Sequence, residues 1–247
     1  MASGLLVLLI GRSTRLSRYV TGLDKAYTAT ARLGAVSDTL DAEGTVSPLD
    51  APLPPESAIR AALPNFTGDI LQTPPMASAL KREGKRLYDL HRKGITIERE
   101  PRPIRVHHFT LTGMDPTEKT ATFEISCSSG TYVRTLIADL AASLGSGAYL
   151  TALRRTSVGH LSVHDAEPPP HITPEILYHR IILPREVVRH LPGVDVCGEG
   201  REGVCHGRRM GRRDIEGSYR VMCGDELLAV YRDAGDEGRA EVVLCAG

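Results

Sequence analysis

The chain has 247 residues, enough for one large domain or for a large and a small one, each with its own core. A hydrophobic share of 41% and a charged share of 24% are those of an ordinary globular protein. With 30 basic and 30 acidic residues the net charge is zero, which by itself argues against a general polyanion binder. The distribution tells a different story. Nine Lys or Arg stand against four acids from Lys81 to Arg105, and five Arg against one Glu from Arg201 to Arg213. Such runs are either solvated faces or contacts to a polyanion.

Five cysteines (Cys127, Cys197, Cys205, Cys223, Cys245) form no C-x-x-C pair and no Cys/His cluster at zinc spacing. Their odd number and scatter predict reduced thiols in a cytoplasm. The one long apolar run, Leu5 to Ile10, is too short to span a bilayer, and no basic residue precedes it as in a secretion signal. A cytoplasmic protein with no membrane contact is expected.

In chain order, Ala2 to Ile10 reads as a buried helix closed by Gly11, with more helix near Thr14 to Val20. An apolar run so near a terminus has two readings, a helix tucked under the domain or an internal segment of a longer protein. Tyr27 to Gly34 alternates as a strand does, and an Asp/Gly loop follows at Ser37 to Gly44. Glu56 to Leu63 suits a short helix, and Lys81 to Lys93 is also compatible with one. Arg102 to Leu111 and Thr120 to Cys127 read as paired strands. Thr131 to Leu144 is amphipathic, with Val133, Leu136, Ile137, Leu140 and Leu144 on one stripe, and Tyr149 to Val163 holds one or two more strands. Glu167 to Pro170 marks a corner, and helical signal resumes at Ile176. From Leu191 onward, short segments separated by Gly (200–204, 219–223, 226–231, 241–245) predict a small β-barrel.

Several segments, in order, resemble one family. Met1-Ala-Ser-Gly-Leu-Leu-Val-Leu-Leu-Ile-Gly is similar to the piece that follows the catalytic loop of the TruB family of tRNA pseudouridine-55 synthases. Asp24-Lys-Ala-Tyr27-Thr-Ala-Thr-Ala-Arg-Leu-Gly34 resembles its second motif, and Ser37-Asp-Thr-Leu-Asp41-Ala-Glu-Gly44 the segment after it. Pro74 to Lys81 with Gly84 to Tyr88 looks like the family's RNA-clamping insertion, and Ser129 to Leu140 with Leu153-Arg-Arg-Thr156 like its last active-site segments. The resemblance spans about residues 1 to 165.

It implies an α+β fold: a mixed, largely antiparallel sheet with flanking helices and an RNA cleft, then a small PUA-like β-barrel. The implied domains are 1–183, lacking the family's N-terminal strand and catalytic loop, and 184–247. The implied reaction breaks the bond from sugar to N1 of a T-loop uridine at tRNA position 55, turns the uracil and rejoins it through C5. Substrate and product are isomers, so no cofactor or metal is implied. The uridine leaves the stack to react, and an extruded base needs an aromatic face and polar contacts to its edge.

By resemblance Tyr27 stacks on that base and assists proton removal, and Arg134 pairs with the catalytic aspartate. Tyr132 and Leu153 wall the pocket, Asp41 lies near the RNA surface, and Lys81, Lys85 and Arg86 meet tRNA phosphates. Asp41 also reads as a turn residue and Leu153 as plain core. The implied partner is the tRNA T-arm, bound by a monomer. The family's Gly-x-Leu-Asp-Pro loop would lie just ahead of Met1, so its aspartate is missing from these residues. Arg134 is then expected to have no acidic partner and the chain to be inactive. The alternative is a non-catalytic tRNA-binding protein or RNA-folding helper.

Overall fold

The structure, a computed structural model, describes residues 2–82 and 84–245; of Lys81, Arg82 and Lys85 only the backbone is described. The chain divides into two units, residues 1–6 with 23–166 and residues 7–22 with 167–247. The division near Ala166 precedes the 183/184 boundary expected from sequence, and it assigns residues 7–22 to the second unit.

The first unit is built on a twisted sheet. Its strands are β1 (Ala2–Gly4), β2 (Lys25–Leu33), β5 (Gly68–Gln72), β8 (Arg102–Asp115), β9 (Thr120–Cys127), β10 (Ala148–Val158) and β11 (Leu161–Ser162). Two hairpins lie outside it, β3 (Ala35–Ser37) with β4 (Val46–Pro48) and β6 (Lys81–Arg82) with β7 (Lys85–Arg86). The sheet order is β1-β10-β2-β9-β8-β5, with β11 on β10; only β1 and β10 are parallel. Three helices belong here, α2 (Glu56–Ala62), α3 (Leu87–His91) and α4 (Val133–Ser143).

Strand and helix periodicities meet in one core. On β2 the alternate residues Ala29, Ala31 and Leu33 are buried; on β9 so are Ala121, Phe123, Ile125 and Cys127. Val133, Leu136, Ile137 and Leu140 of α4 pack into the same cluster, each contributing about 1.5–3 kcal/mol by burial. The stripe read from sequence is the face that covers the sheet.

The start of the chain departs from the helix expected there. Ala2 to Gly4 form a strand, and Leu5 is buried while Leu6, Leu8 and Ile10 are exposed. Leu5 donates its N–H to the Arg155 carbonyl, 2.8 Å away, so the pairing with β10 continues one residue past β1, and residues 5–10 form no helix. Gly4 is needed there: its φ is +101°, and a Cβ would strike the Arg155 backbone. The segment from Lys81 to Lys93 is likewise no continuous helix but a hairpin followed by the single-turn α3. Glu83 within it lies outside the described residues.

The second unit holds α1 (Ser17–Thr21), α5 (Pro174–Arg180), α6 (Pro184–Val187) and α7 (Glu199–Cys205). Its strands are β12 (Gly193–Asp195), β13 (Met210–Gly211), β14 (Ser218–Cys223), β15 (Glu226–Ala234) and β16 (Glu237–Val243), in the order β12-β14-β15-β16-β13. The curled sheet is a PUA-like half-barrel. Residues 200–204, expected as a strand, lie in α7. Tyr219, Val221, Leu228 and Tyr231 form a separate small core.

The expectation of reduced thiols is corrected: disulfides join Cys197 to Cys223 and Cys205 to Cys245, and Cys127 is free and buried. Spacing did not disclose the pairs, because their partners are brought together by strand pairing 26 and 40 residues apart.

Candidate active site

Tyr27 sits near the start of β2, opposite Ile125 of β9 and Arg155 of β10. It lies on the same side of the strand as Ala29 and Ala31, which is the side α4 covers, and packs half-buried on the core. Burial pushes its phenol above the ordinary range, with Arg155 opposing that rise. Leu153, opposite Ala29, packs on the same cluster. The parallel pairing of β1 sets Ala2 beside Leu153, so the first strand runs along this pocket wall.

Arg134 reaches the site from the first turn of α4. Its Nη1 donates to Asp41 Oδ2 at 2.7 Å and to the Thr39 carbonyl at 3.2 Å, and its Nη2 donates to the Ala77 carbonyl. Arg134 therefore has an acidic partner, contrary to expectation. Asp41 is only 6% exposed. Its Oδ1 accepts from Thr39 Oγ1 at 2.7 Å and from the Glu43 N–H at 3.1 Å, which is the turn bonding its sequence suggested. Three donors thus occupy this carboxylate, and it acts as an anchor for the guanidinium.

Tyr132 caps α4 from an extended conformation. The buried Gln72 side chain brackets it, accepting from the Tyr132 N–H at 2.8 Å and donating to its carbonyl at 3.1 Å. Gln72 fixes where the Arg134-bearing helix starts. Sequence reading assigned it no role, because a Gln before Thr-Pro-Pro carries no periodic or motif signal.

Charged groups gather at the Tyr27 end of the sheet. Lys25 lies opposite Cys127 and is held below its usual pKa by burial, with Arg155 adding to the effect. Its Nζ donates to the Leu23 carbonyl at 2.6 Å. Burial pushes the Cys127 thiol up to about 11, so it stays protonated and unreactive. Asp24 pairs with His107 at 2.8 Å. Among the described residues, no group of three or more His, Cys, Asp or Glu could hold a metal.

The basic insertion is set apart from these groups. Arg86 is exposed, donates to Tyr88 Oη at 2.8 Å, and lies 5.7 Å from the centre of that ring; Arg92 lies 5.6 Å from it. With Lys93 they line an open groove. Lys81 and Lys85 belong to the hairpin beside it; their side chains lie outside the described residues. The structure thus joins Arg134 directly to Asp41, sets Tyr132 next to them, and puts Tyr27 and Leu153 on the same side of neighbouring strands.

The fold is shared with chains of solved Cbf5 complexes. A chain of a Cbf5–Nop10–Gar1 complex superposes with a TM-score of 0.70 at 23% identity, covering 99% of this chain and 74% of that one. A chain of an archaeal Nop10–Cbf5 complex gives 0.66 at 21% identity, covering 96% and 71%. The class is that of the pseudouridylate synthases, which are isomerases: residues 1–133 match the N-terminal domain model of the TruB family pseudouridylate synthases. The relative from Opitutus terrae, a tRNA pseudouridine synthase B, is 50% identical over 167 residues, 67% of this chain and 68% of its own. That from Azoarcus sp., of the same name, is 38% identical over 234 residues, covering 93% and 77%. The chain belongs to the TruB family. No described helix is long and apolar enough to cross a membrane.

Proposed function

We propose that this site isomerises a uridine of the tRNA T-loop, at position 55, to pseudouridine. The carrying observation is the Arg134 guanidinium, held by Asp41, Thr39 and Ala77 on the side of the sheet that bears Tyr27. Tyr27 offers an aromatic face to the extruded uracil, and its burial keeps the phenol protonated at neutral pH. In the reaction the sugar–N1 bond breaks, the uracil turns, C5 bonds to the sugar and the C5 proton leaves. Tyr27 assists that last transfer. Leu153 and Tyr132 wall the pocket, while Lys81, Lys85 and Arg86 meet backbone phosphates and orient the T-arm without reading sequence. The protein works as a monomer in the cytoplasm.

A carboxylate is still required as nucleophile or base. Asp41 already accepts from three donors, and Asp24 is paired with His107. We infer that neither of these carboxylates supplies it and that residues 1–247 alone bind tRNA without turnover. The test is tritium release from C5-labelled T-loop uridine. A version carrying an added Leu-Asp-Pro segment ahead of residue 1 should turn over while the 247-residue chain is silent yet retains tRNA; turnover by the unextended chain at a comparable rate would falsify the assignment. Loss of Arg86 and Arg92 together should weaken tRNA retention and reduce its salt dependence.

A further inference from the structure

The last strand of the second unit carries two features together. Its end is tied by a disulfide, and the same residues hold the segment 7–22. Glu241 on β16 accepts from Tyr19 Oη at 2.8 Å and pairs with Arg18 at 3.0 Å. At the end of the strand the Val243 carbonyl accepts from Arg15, and just beyond it the Leu244 carbonyl accepts from Arg12 at 3.1 Å. The next residue is Cys245, bridged to Cys205 at the end of α7. Apart from that bridge, residues 244 and 245 are fixed by N–H bonds to the Leu228 carbonyl, at 2.8 and 3.2 Å, and by burial of Leu244. Backbone held by so few bonds opens more readily once the bridge is broken.

We propose that Cys205–Cys245 is a redox-controlled clasp that sets how firmly residues 11–22 are held on the second unit. This goes beyond the isomerase reading and does not depend on it. Reduction is by a dithiol. One thiolate of the reductant attacks Cys245 Sγ, the half-buried partner, while Cys205 is buried. The protein S–S bond breaks, a mixed disulfide forms at Cys245, and Cys205 leaves as a thiolate. The second thiol of the reductant then displaces Cys245 and departs as a cyclic disulfide. Two electrons and two protons have passed to the protein. Opening the bridge returns conformational freedom to a closed loop spanning 40 residues and lets the acceptors at 243 and 244 drift from Arg15 and Arg12. The Cys197–Cys223 bridge ties β14 to the residue after Val196 and touches none of these acceptors, so it serves as the internal control.

Two measurements test this on the whole 247-residue chain. Alkylation after unfolding, without reductant, should label Cys127 alone in air-oxidised protein and all five cysteines after dithiothreitol. Hydrogen exchange on the folded protein should then show the amides of 12–22 exchanging about tenfold faster once Cys245 is free. Cys245→Ser should reproduce that change without reductant, while the double variant Cys197→Ser, Cys223→Ser should not. Five free thiols in air-oxidised protein would overturn the proposal. So would unchanged exchange at 12–22 with Cys245 reduced, or equal loosening by the control variant. The reduction experiment on the unsubstituted protein stands even where a serine variant does not fold.

Discussion

The two units stabilise themselves by different means. The first builds long antiparallel strands, up to the 14 residues of β8, and closes them with α4, so Phe123, Ile125, Leu136 and Ile137 are nearly inaccessible. Its single cysteine is free, and its large apolar cluster spans the sheet and α4. The second has strands of two to nine residues, a smaller core, two disulfides and a fringe of ion pairs such as Arg201–Glu226 and Arg209–Glu237. A short sheet buries too little surface to hold alone, and covalent staples make up the difference. The larger apolar core belongs to the first unit, and the covalent ties belong to the second.

The largest effect expected is on that contrast itself. Phe123→Ala removes a side chain that is 1% exposed and should cost the first unit about 3–5 kcal/mol. Calorimetry should show the first unit's transition lowered and the second's unmoved; one merged, shifted transition would mean the two cores are not independent. Next is Asp41→Ala, which strands the Arg134 guanidinium without its acid and should cost about 3 kcal/mol. In a chain carrying an upstream carboxylate it should also lower pseudouridine formation at least tenfold with tRNA affinity little changed. Equal losses in binding and rate would make Asp41 a fold residue only.

The smallest effect is alkaline and confined to the second unit. Burial, with Asp233 bonded to its hydroxyl at 3.0 Å, pushes Tyr219 up to about 12. The folded form keeps this proton longer than the unfolded chain does. The associated stability is therefore complete below pH 10 and lost as pH rises toward 12. Melting of the second unit across that window should flatten in Tyr219→Phe, and an identical alkaline slope in that variant would assign the loss to other groups.

Much of the first unit was legible in the sequence because its signals are local and strong. The five-residue stripe of α4, the alternation of β2 and the paired runs of β8 and β9 each place apolar groups at one period, and the structure buries those faces. The ordered motifs likewise identified the family. The start of the chain misled for the opposite reason: six consecutive apolar residues have no period, so helix and strand could not be told apart. Only pairing with β10 made residues 2–4 a strand and bound Leu5 after them.

The sequence by itself determined the family, the strands and helix of the larger unit, and the identity of the groups that chemistry would need. The tertiary structure alone decided which acid Arg134 grips, that Gln72 sets the start of its helix, which cysteines pair, and that residues 7–22 join the second unit. These are contacts across 26 to more than 200 residues of chain, from the disulfides and Gln72–Tyr132 to Arg12–Leu244. A single residue's neighbours in sequence carry no record of such partners, because strand pairing and helix docking fix them only after the core has closed.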